Sequence, residues 1–471
     1  MQASERHRWL LAVLCGVLFL DGLDISLVGI TLPSIKHDLG FSDAQLQWVV
    51  SAYVLGYGGF LLLGGRTADL LGRRPTLLVA LALFSVASLL GGLANGPALL
   101  LSTRFLKGAS AAFTAPAGLS IITTSYEEGP QRHRALSIYS ATGASGFSLG
   151  LVIGGLMTQI GWRWAFILPA PVAALLVVAG SRALPHDRPR LHPQRGFDVP
   201  GAVTLTAGML LLVQTIVEAP ARGWSSPTTV GGFAVSVVLL GAFAWIEARS
   251  SAPLVRLGIV RVPGVVHANL GIVLLFGAYV GFQFVLTLYL QQLNRWSPIR
   301  TALAFLPVGV LIAATAAQLP RLARRVALVR LIAAGFAVMT VGYALLLRLG
   351  GSPGWTGVLL PTTILVGVGI GLAFPALNVE ATGAVPAHEQ GLAAALFQTS
   401  NQIGAAFALA IIAAVVTAAG GASADRGAVI HAYREGLVVV AALAAFGLLV
   451  AVSATRSRRE ETAVASGEAS A

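Results

Sequence analysis

Gly65-Arg66-Thr67-Ala68-Asp69-Leu70-Leu71-Gly72-Arg73-Arg74 is the most telling stretch of this chain. It gathers arginines, an aspartate and two glycines between two apolar runs, 46–64 and 76–95. A run of about 20 apolar residues is long enough to cross a bilayer as a helix. A short charged segment between two such runs therefore reads as a turn at a membrane surface. Glycine permits a tight turn and a close helix approach. Asp69 is placed to cap a helix start or to accept from an arginine.

Working outward, the same alternation fills the chain. Of 471 residues, 56% are hydrophobic and 11% charged, against roughly 25% charged in a soluble domain. Apolar runs stand near 9–32, 46–64, 76–95, 98–124, 135–160, 163–182, 199–218, 228–246, 265–290, 300–320, 329–347, 355–379, 391–418 and 435–455, which makes fourteen. With the N-terminus placed inside and the sides alternating, Lys and Arg on inside segments outnumber those outside by 21 to 8. The remaining two, Arg104 and Lys107, lie within the fourth run. That bias predicts cytoplasmic termini. It also accounts for the net charge of +12 without nucleic acid, because the charges sit in clusters between apolar runs. The first run follows Arg6 and Arg8 but is too long for a signal peptide and lacks an Ala-x-Ala-like cleavage site, so it reads as a retained helix. The single cysteine, Cys15, excludes an intrachain disulfide.

The organisation expected is an all-α membrane protein in four parts. A six-helix half spans 1–182, and a linker with two extra helices spans 183–262. A second six-helix half spans 263–456, and a disordered tail follows over 457–471. Pro320-Arg321-Leu322-Ala323-Arg324-Arg325, after the tenth run, is a worn copy of the opening stretch without its glycines or its Asp. Such repeats are typical of secondary transporters.

Charged groups inside spans are costly and usually functional. Asp21 and Asp24 lie three residues apart in the first run, and Arg104 and Lys107 three apart in the fourth, so each pair shares a helix face. Two carboxylates that close favour one of them holding a proton. Glu380 stands near the inner end of the twelfth run. Trp48, Tyr53, Tyr57, Phe282, Gln283, Gln398 and Gln402 are candidates for contact with a lipophilic or cationic substrate, since apolar walls with a few polar groups suit such molecules. No Gly-x-x-x-x-Gly-Lys-Ser/Thr run and no metal-ligand cluster occurs in the sequence. The reading is of a non-enzyme without cofactor, whose partners are a small molecule, protons and the bilayer.

The opening stretch resembles the signature loop of the major facilitator superfamily. Four further matches resemble its fourteen-helix drug:proton antiporter branch. Leu23-Asp24-Ile25-Ser26-Leu27-Val28-Gly29-Ile30-Thr31-Leu32-Pro33 is similar to L-D-x-T-x-V-N-x-A-L-P. Arg104-Phe105-Leu106-Lys107-Gly108 is similar to R-x-x-Q-G, and Gly146 through Gly155 to the antiporter motif G-x-x-x-G-P-x-x-G-G. Glu389-Gln390-Gly391 through Asn401-Gln402-Ile403-Gly404 follows the branch's rhythm in the thirteenth run. Leu151 stands where the motif has proline, Lys107 where it has glutamine, Gly29 for an expected asparagine and Asn401 for a common arginine.

The resemblance implies a major facilitator fold of fourteen helices arranged six, two and six, with rocking halves around a central cavity. It implies gating by Gly65, Asp69, Gly72, Arg73, Arg74 and Glu380. It places Gly146, Gly150, Gly154 and Gly155 where the halves meet, and it brings the first and fourth helices together, so that Asp24 pairs with Arg104. Asp24 is the acid expected to be protonated from outside, releasing substrate, and deprotonated inside, with Asp21 and Lys107 joining in proton coupling. The function implied is proton-coupled export of small lipophilic or cationic compounds, such as drugs or antibiotics, by a monomer in the cell membrane. Export of one endogenous metabolite, uptake by symport made easier by Leu151, and a non-transporting membrane sensor are the alternatives.

Overall fold

The computed structural model describes residues 3–41, 43–127, 130–185, 198–250, 257–351, 354–386, 390–421 and 425–468. In chain order the helices are α1 (Ala3–Leu39), α2 (Asp43–Leu71), α3 (Arg73–Gly92), α4 (Pro97–Ser125), α5 (Pro130–Ile160), α6 (Arg163–Ile167), α7 (Pro169–Ala183), α8 (Val199–Arg222) and α9 (Pro227–Arg249). They continue with α10 (Pro263–Thr287), α11 (Pro298–Ala316), α12 (Leu319–Leu322), α13 (Leu328–Leu346), α14 (Leu360–Gly383), α15 (Gln390–Ala418) and α16 (Arg426–Glu468). A 3-10 turn, Leu257–Arg261, leads into α10; π-helical turns end α10 at Leu288–Leu293 and begin α14 at Trp355–Leu359. No strand occurs among the described residues.

Local chemistry sets the helix starts. Proline, which needs no N–H partner in a first turn, opens α4, α7, α9, α10 and α11. Asp198 accepts from Gly201 N at 2.9 Å to cap α8, and Ser226 from Thr229 N at 3.3 Å to cap α9. Gly72, at φ 100°, makes the turn between α2 and α3. That backbone region is open to glycine and strained for other residues.

Among the described residues, twelve helices are long and apolar enough to cross a membrane, with α6 and α7 together forming one of them. The sequence map has fourteen runs; at its second and fifth places, α2 and α5 carry the shorter apolar stretches Trp48–Leu61 and Ser145–Ile160. Val79, Leu175, Val237, Val238 and Leu449 are exposed. Exposed apolar surface on this scale suits a lipid surround.

Helices α1 to α7 pack on one another, and so do α10 to α16. The second group centres on Phe282, Phe305, Phe336, Tyr343 and Phe397, all fully buried. The groups meet where α5 packs on α11 and α2 on α15. Helix α8 lies across that junction, with Val213 and Val217 against Trp48, Val54 and Leu55 of α2 and Ala406 of α15. Helix α9 packs on α8 and the 3-10 turn.

One feature differs from the sequence reading. Helix α16 runs to Glu468, into the segment 457–471 expected to be disordered. Its Glu-Glu-Thr-Ala-Val-Ala composition is rich in good helix formers. Helix α5 is continuous through Leu151, which is buried against the second group; leucine keeps the N–H that a proline would remove.

Candidate functional site

Four ionisable side chains meet between α1 and α4. Gly108 lets the backbone of α4 close on α2, since a Cβ there would collide with the carbonyl of Tyr53. This close fit turns the Arg104 and Lys107 side of α4 toward α1. Arg104 Nη1 donates to Asp24 Oδ2 at 2.7 Å, and Lys107 Nζ is ion-paired with Asp24 Oδ1. All three side chains are at most 1% exposed. Removing an ion from water costs several kcal/mol, which pairing offsets only if the remaining polar atoms are also satisfied.

Here they largely are. Arg104 Nε donates to Val49 O at 2.9 Å, and its guanidinium lies 4.7 Å from the Tyr53 ring centre. Lys107 Nζ lies 4.8 Å from the ring of Phe84 and 5.5 Å from that of Phe166. Aromatic faces attract cations and keep water out. The sequence pairs Asp24 with Arg104; the structure adds Lys107 to the same carboxylate.

Asp21 sits differently. It accepts a hydrogen bond from Thr114 Oγ1 at 3.0 Å, and among the described residues no cation forms an ion pair with it. Two buried cations and Asp24 leave one positive charge over, so the cluster is neutral only with Asp21 ionised. Around it stand Tyr53 and Tyr57 of α2 and Tyr139 of α5, each buried and within electrostatic reach. Tyr53 stacks on Tyr57 with ring centres 6.0 Å apart. The Tyr53 hydroxyl is buried with no partner among the described residues.

The aromatic and amide candidates separate into different surroundings. Tyr57 is buried and comes within electrostatic reach of Gln398 of α15, across the two groups, while Gln398 Oε1 has no hydrogen-bond partner among the described residues. Gln402 is buried beside Gly58 of α2. Trp48 packs with α8 and α15. Gln283 is half-buried. Phe282 is a correction: it is fully buried among Tyr279, Phe305 and Tyr343, with ring centres 5.5–6.3 Å away, and fills the core of the second group instead of a cavity wall.

The glycines of α5 divide as well. Gly146 faces the Phe19 carbonyl; Cβ atoms on Gly150 and Gly154 would stand 2.6 Å from Leu23 O and 2.9 Å from Leu27 O. All three therefore seat α5 on α1 inside the first group, where the sequence reading put them at the junction of the halves. Gly155 alone of the four faces across, 3.0 Å by the same measure from Ile299 Cα of α11.

In the opening loop, Arg73 Nη1 donates to Thr124 Oγ1 at 2.8 Å and Ser120 O at 3.2 Å, and Arg74 Nη2 to Ser181 O at 2.5 Å. These bonds tie the start of α3 to α4 and α7. Gly65 is in ordinary contact with Pro116. Asp69 lies in the last turn of α2, its side chain outside the described residues. Glu380 is buried in the second group and lines a small cavity with His267, Leu377 and Ala451.

Sequence reading missed Thr114, Tyr139 and the role of Asn401 as a buried amide. Thr114 is seven residues after Lys107, on the same helix face, so its signal was present. Asn401 is 8% exposed with Oδ1 unpartnered among the described residues.

Comparison with known proteins agrees with this architecture. The sequence profile of the Major Facilitator Superfamily matches residues 14–409. The puromycin resistance protein of Streptomyces alboniger is 40% identical over 466 residues, covering 95% of this chain and 90% of its own. The cephamycin export protein of Amycolatopsis lactamdurans is 36% identical, covering 86% of this chain and 84% of its own. Among solved structures, the POT family transporter PepTSo superposes with a TM-score of 0.70 at 17% identity, covering 98% of this chain and 99% of that one. The chain is a membrane transporter and belongs to the major facilitator superfamily.

Proposed function

We propose that this protein exports small lipophilic antibiotics in exchange for protons. The observation that carries this is the buried cluster of Asp21, Asp24, Arg104 and Lys107. Four ionisable groups kept from water between two helices are costly to maintain, and a group that gains and loses a proton there gives them a use. The relatives named for puromycin resistance and cephamycin export supply the substrate class.

In this reading the chain crosses the cell membrane fourteen times, α2 and α5 included, with both termini in the cytoplasm, and works as a monomer. The excess of Lys and Arg on inside segments supports the orientation. The groups α1 to α7 and α10 to α16 rock about the junction of α5 with α11 and α2 with α15. The two protonation states of the cluster favour different orientations, and a ligand shifts such an equilibrium only through unequal affinity for its two states. Gly155 at the α5–α11 seam, and the Gly72–Arg74 turn with Gly65, Asp69 and Glu380, act in gating. Tyr53, Tyr57, Gln398, Gln402 and Trp48 line the substrate path.

A narrower version, export of a single compound made by the producing cell, is favoured by relatives whose names each carry one antibiotic. Expression in a susceptible bacterial host tests both. Raised resistance to puromycin together with unrelated lipophilic drugs, abolished by a protonophore, supports broad antiport. Resistance to one compound alone supports the narrow version. Unchanged resistance and accumulation across the panel contradict both.

A further inference from the structure

Asp21 and Asp24 share one face of α1, yet the protein treats them differently. Asp24 is fully buried, held on one oxygen by Arg104 and on the other by Lys107. Protonating it would strand two buried cations at once. Asp21 is 6% exposed and takes one hydroxyl bond from Thr114. Its other titratable neighbours are Asp24 on its own helix, Lys107 on α4, Tyr53 and Tyr57 on α2, and Tyr139 on α5. Arg104 is committed to Asp24 and Val49.

We infer that Asp21 is the residue that takes up and releases the transported proton, and that Asp24 is a permanently ionised counter-ion that fixes Arg104 and Lys107. This rests on the antiport reading above. The charge count supports it. With Asp21 ionised the cluster is neutral, and with Asp21 protonated it carries one net positive charge. A cationic substrate is therefore admitted beside the carboxylate and repelled once the proton is bound. The Tyr53 hydroxyl, beside the cluster, is a buried polar atom with no partner among the described residues and is left for a ligand to satisfy. Proton and cation then compete at Asp21 without disturbing the ion pairs at Asp24.

The test begins with the unmodified protein in proteoliposomes treated with a hydrophobic carbodiimide, which reacts with protonated buried carboxyl groups. Both acids fall in the tryptic segment from Trp9 to Lys36, where tandem mass spectrometry separates them. Labelling at Asp21, at least fivefold above Asp24 and reduced by puromycin, is expected. Labelling at Asp24 with Asp21 unmodified overturns the assignment.

Transport of radiolabelled puromycin gives the second arm. Asp21→Asn, which holds the cluster at one net positive charge, is expected to lose at least tenfold of the accumulation driven by a pH gradient while still eluting as a single size-exclusion peak, and Asp21→Glu to restore the driven component. Driven accumulation by Asp21→Asn at the wild-type level removes Asp21 from the proton path and leaves antiport standing. A wild type that exchanges puromycin and never accumulates it on a gradient removes antiport itself.

Discussion

Gly155 of α5 lies against the backbone of Ile299 of α11, close enough that a Cβ would stand 3.0 Å from Ile299 Cα and 3.2 Å from Ala302 Cβ. This contact joins the two helix groups, whereas Gly150, five residues earlier, seats α5 on α1 within one group. Two substitutions of the same size therefore have different consequences.

Gly155→Leu wedges the seam open. It is expected to reduce transport at least tenfold, while the variant runs as a single size-exclusion peak with a melting temperature near that of the wild type. A variant with full transport would mean that the seam tolerates a gap and does not gate.

Gly150→Leu drives a side chain into Leu23 and Ser26. Overpacking typically costs about 1–3 kcal/mol, and the clash with backbone sets this case toward the upper end. The expected result is a lower melting temperature in detergent and a smaller folded fraction, with lost transport following from lost protein.

Asp24→Asn leaves Arg104 and Lys107 buried without their anion. Removing one partner of a buried ion pair costs roughly 3–5 kcal/mol, so thermal stability falls sharply. Adding Lys107→Met, which removes one stranded cation and keeps an apolar stem of similar size, is expected to recover part of that loss. Equal stability of Asp24→Asn and its double variant would contradict the double pairing.

A second ion pair provides a contrast. Arg163 and Asp38 join α6 to the end of α1, Trp162 Nε1 also donates to Asp38 at 2.8 Å, and the pair is 37% and 46% exposed. Exposed pairs contribute about 0–1 kcal/mol. Arg163→Ala is expected to change the melting temperature by no more than a few degrees, far less than Asp24→Asn.

Much of the architecture was legible in the sequence because membrane helices are written in long apolar runs and short charged turns. Gly72 announced the turn between α2 and α3, and proline marked many helix starts. The acid–base cluster was also legible, since charges inside apolar runs stand out. The partners of the α5 glycines were misread although the spacing held the answer. Gly146, Gly150 and Gly154 recur every four residues and share one face, and Gly155 falls about 100° away on another. Phe282 was not legible, because an aromatic in an apolar run looks the same in a core, at a cavity wall or against lipid. The unequal pairing of Asp21 and Asp24 depended on how α4 approaches α1, which no local pattern fixes.

The central claim is that substrate and proton move in opposite directions through the α1–α4 cluster. Everted membrane vesicles, acidified by respiration and reporting lumenal pH through a dye, test it most directly. Puromycin and a panel of lipophilic cations are expected to release protons from the wild-type lumen in a saturable manner, and to release none beyond background from vesicles carrying Asp21→Asn. Proton release that is the same in both, or a wild type that moves puromycin with no change in lumenal pH, would contradict the account.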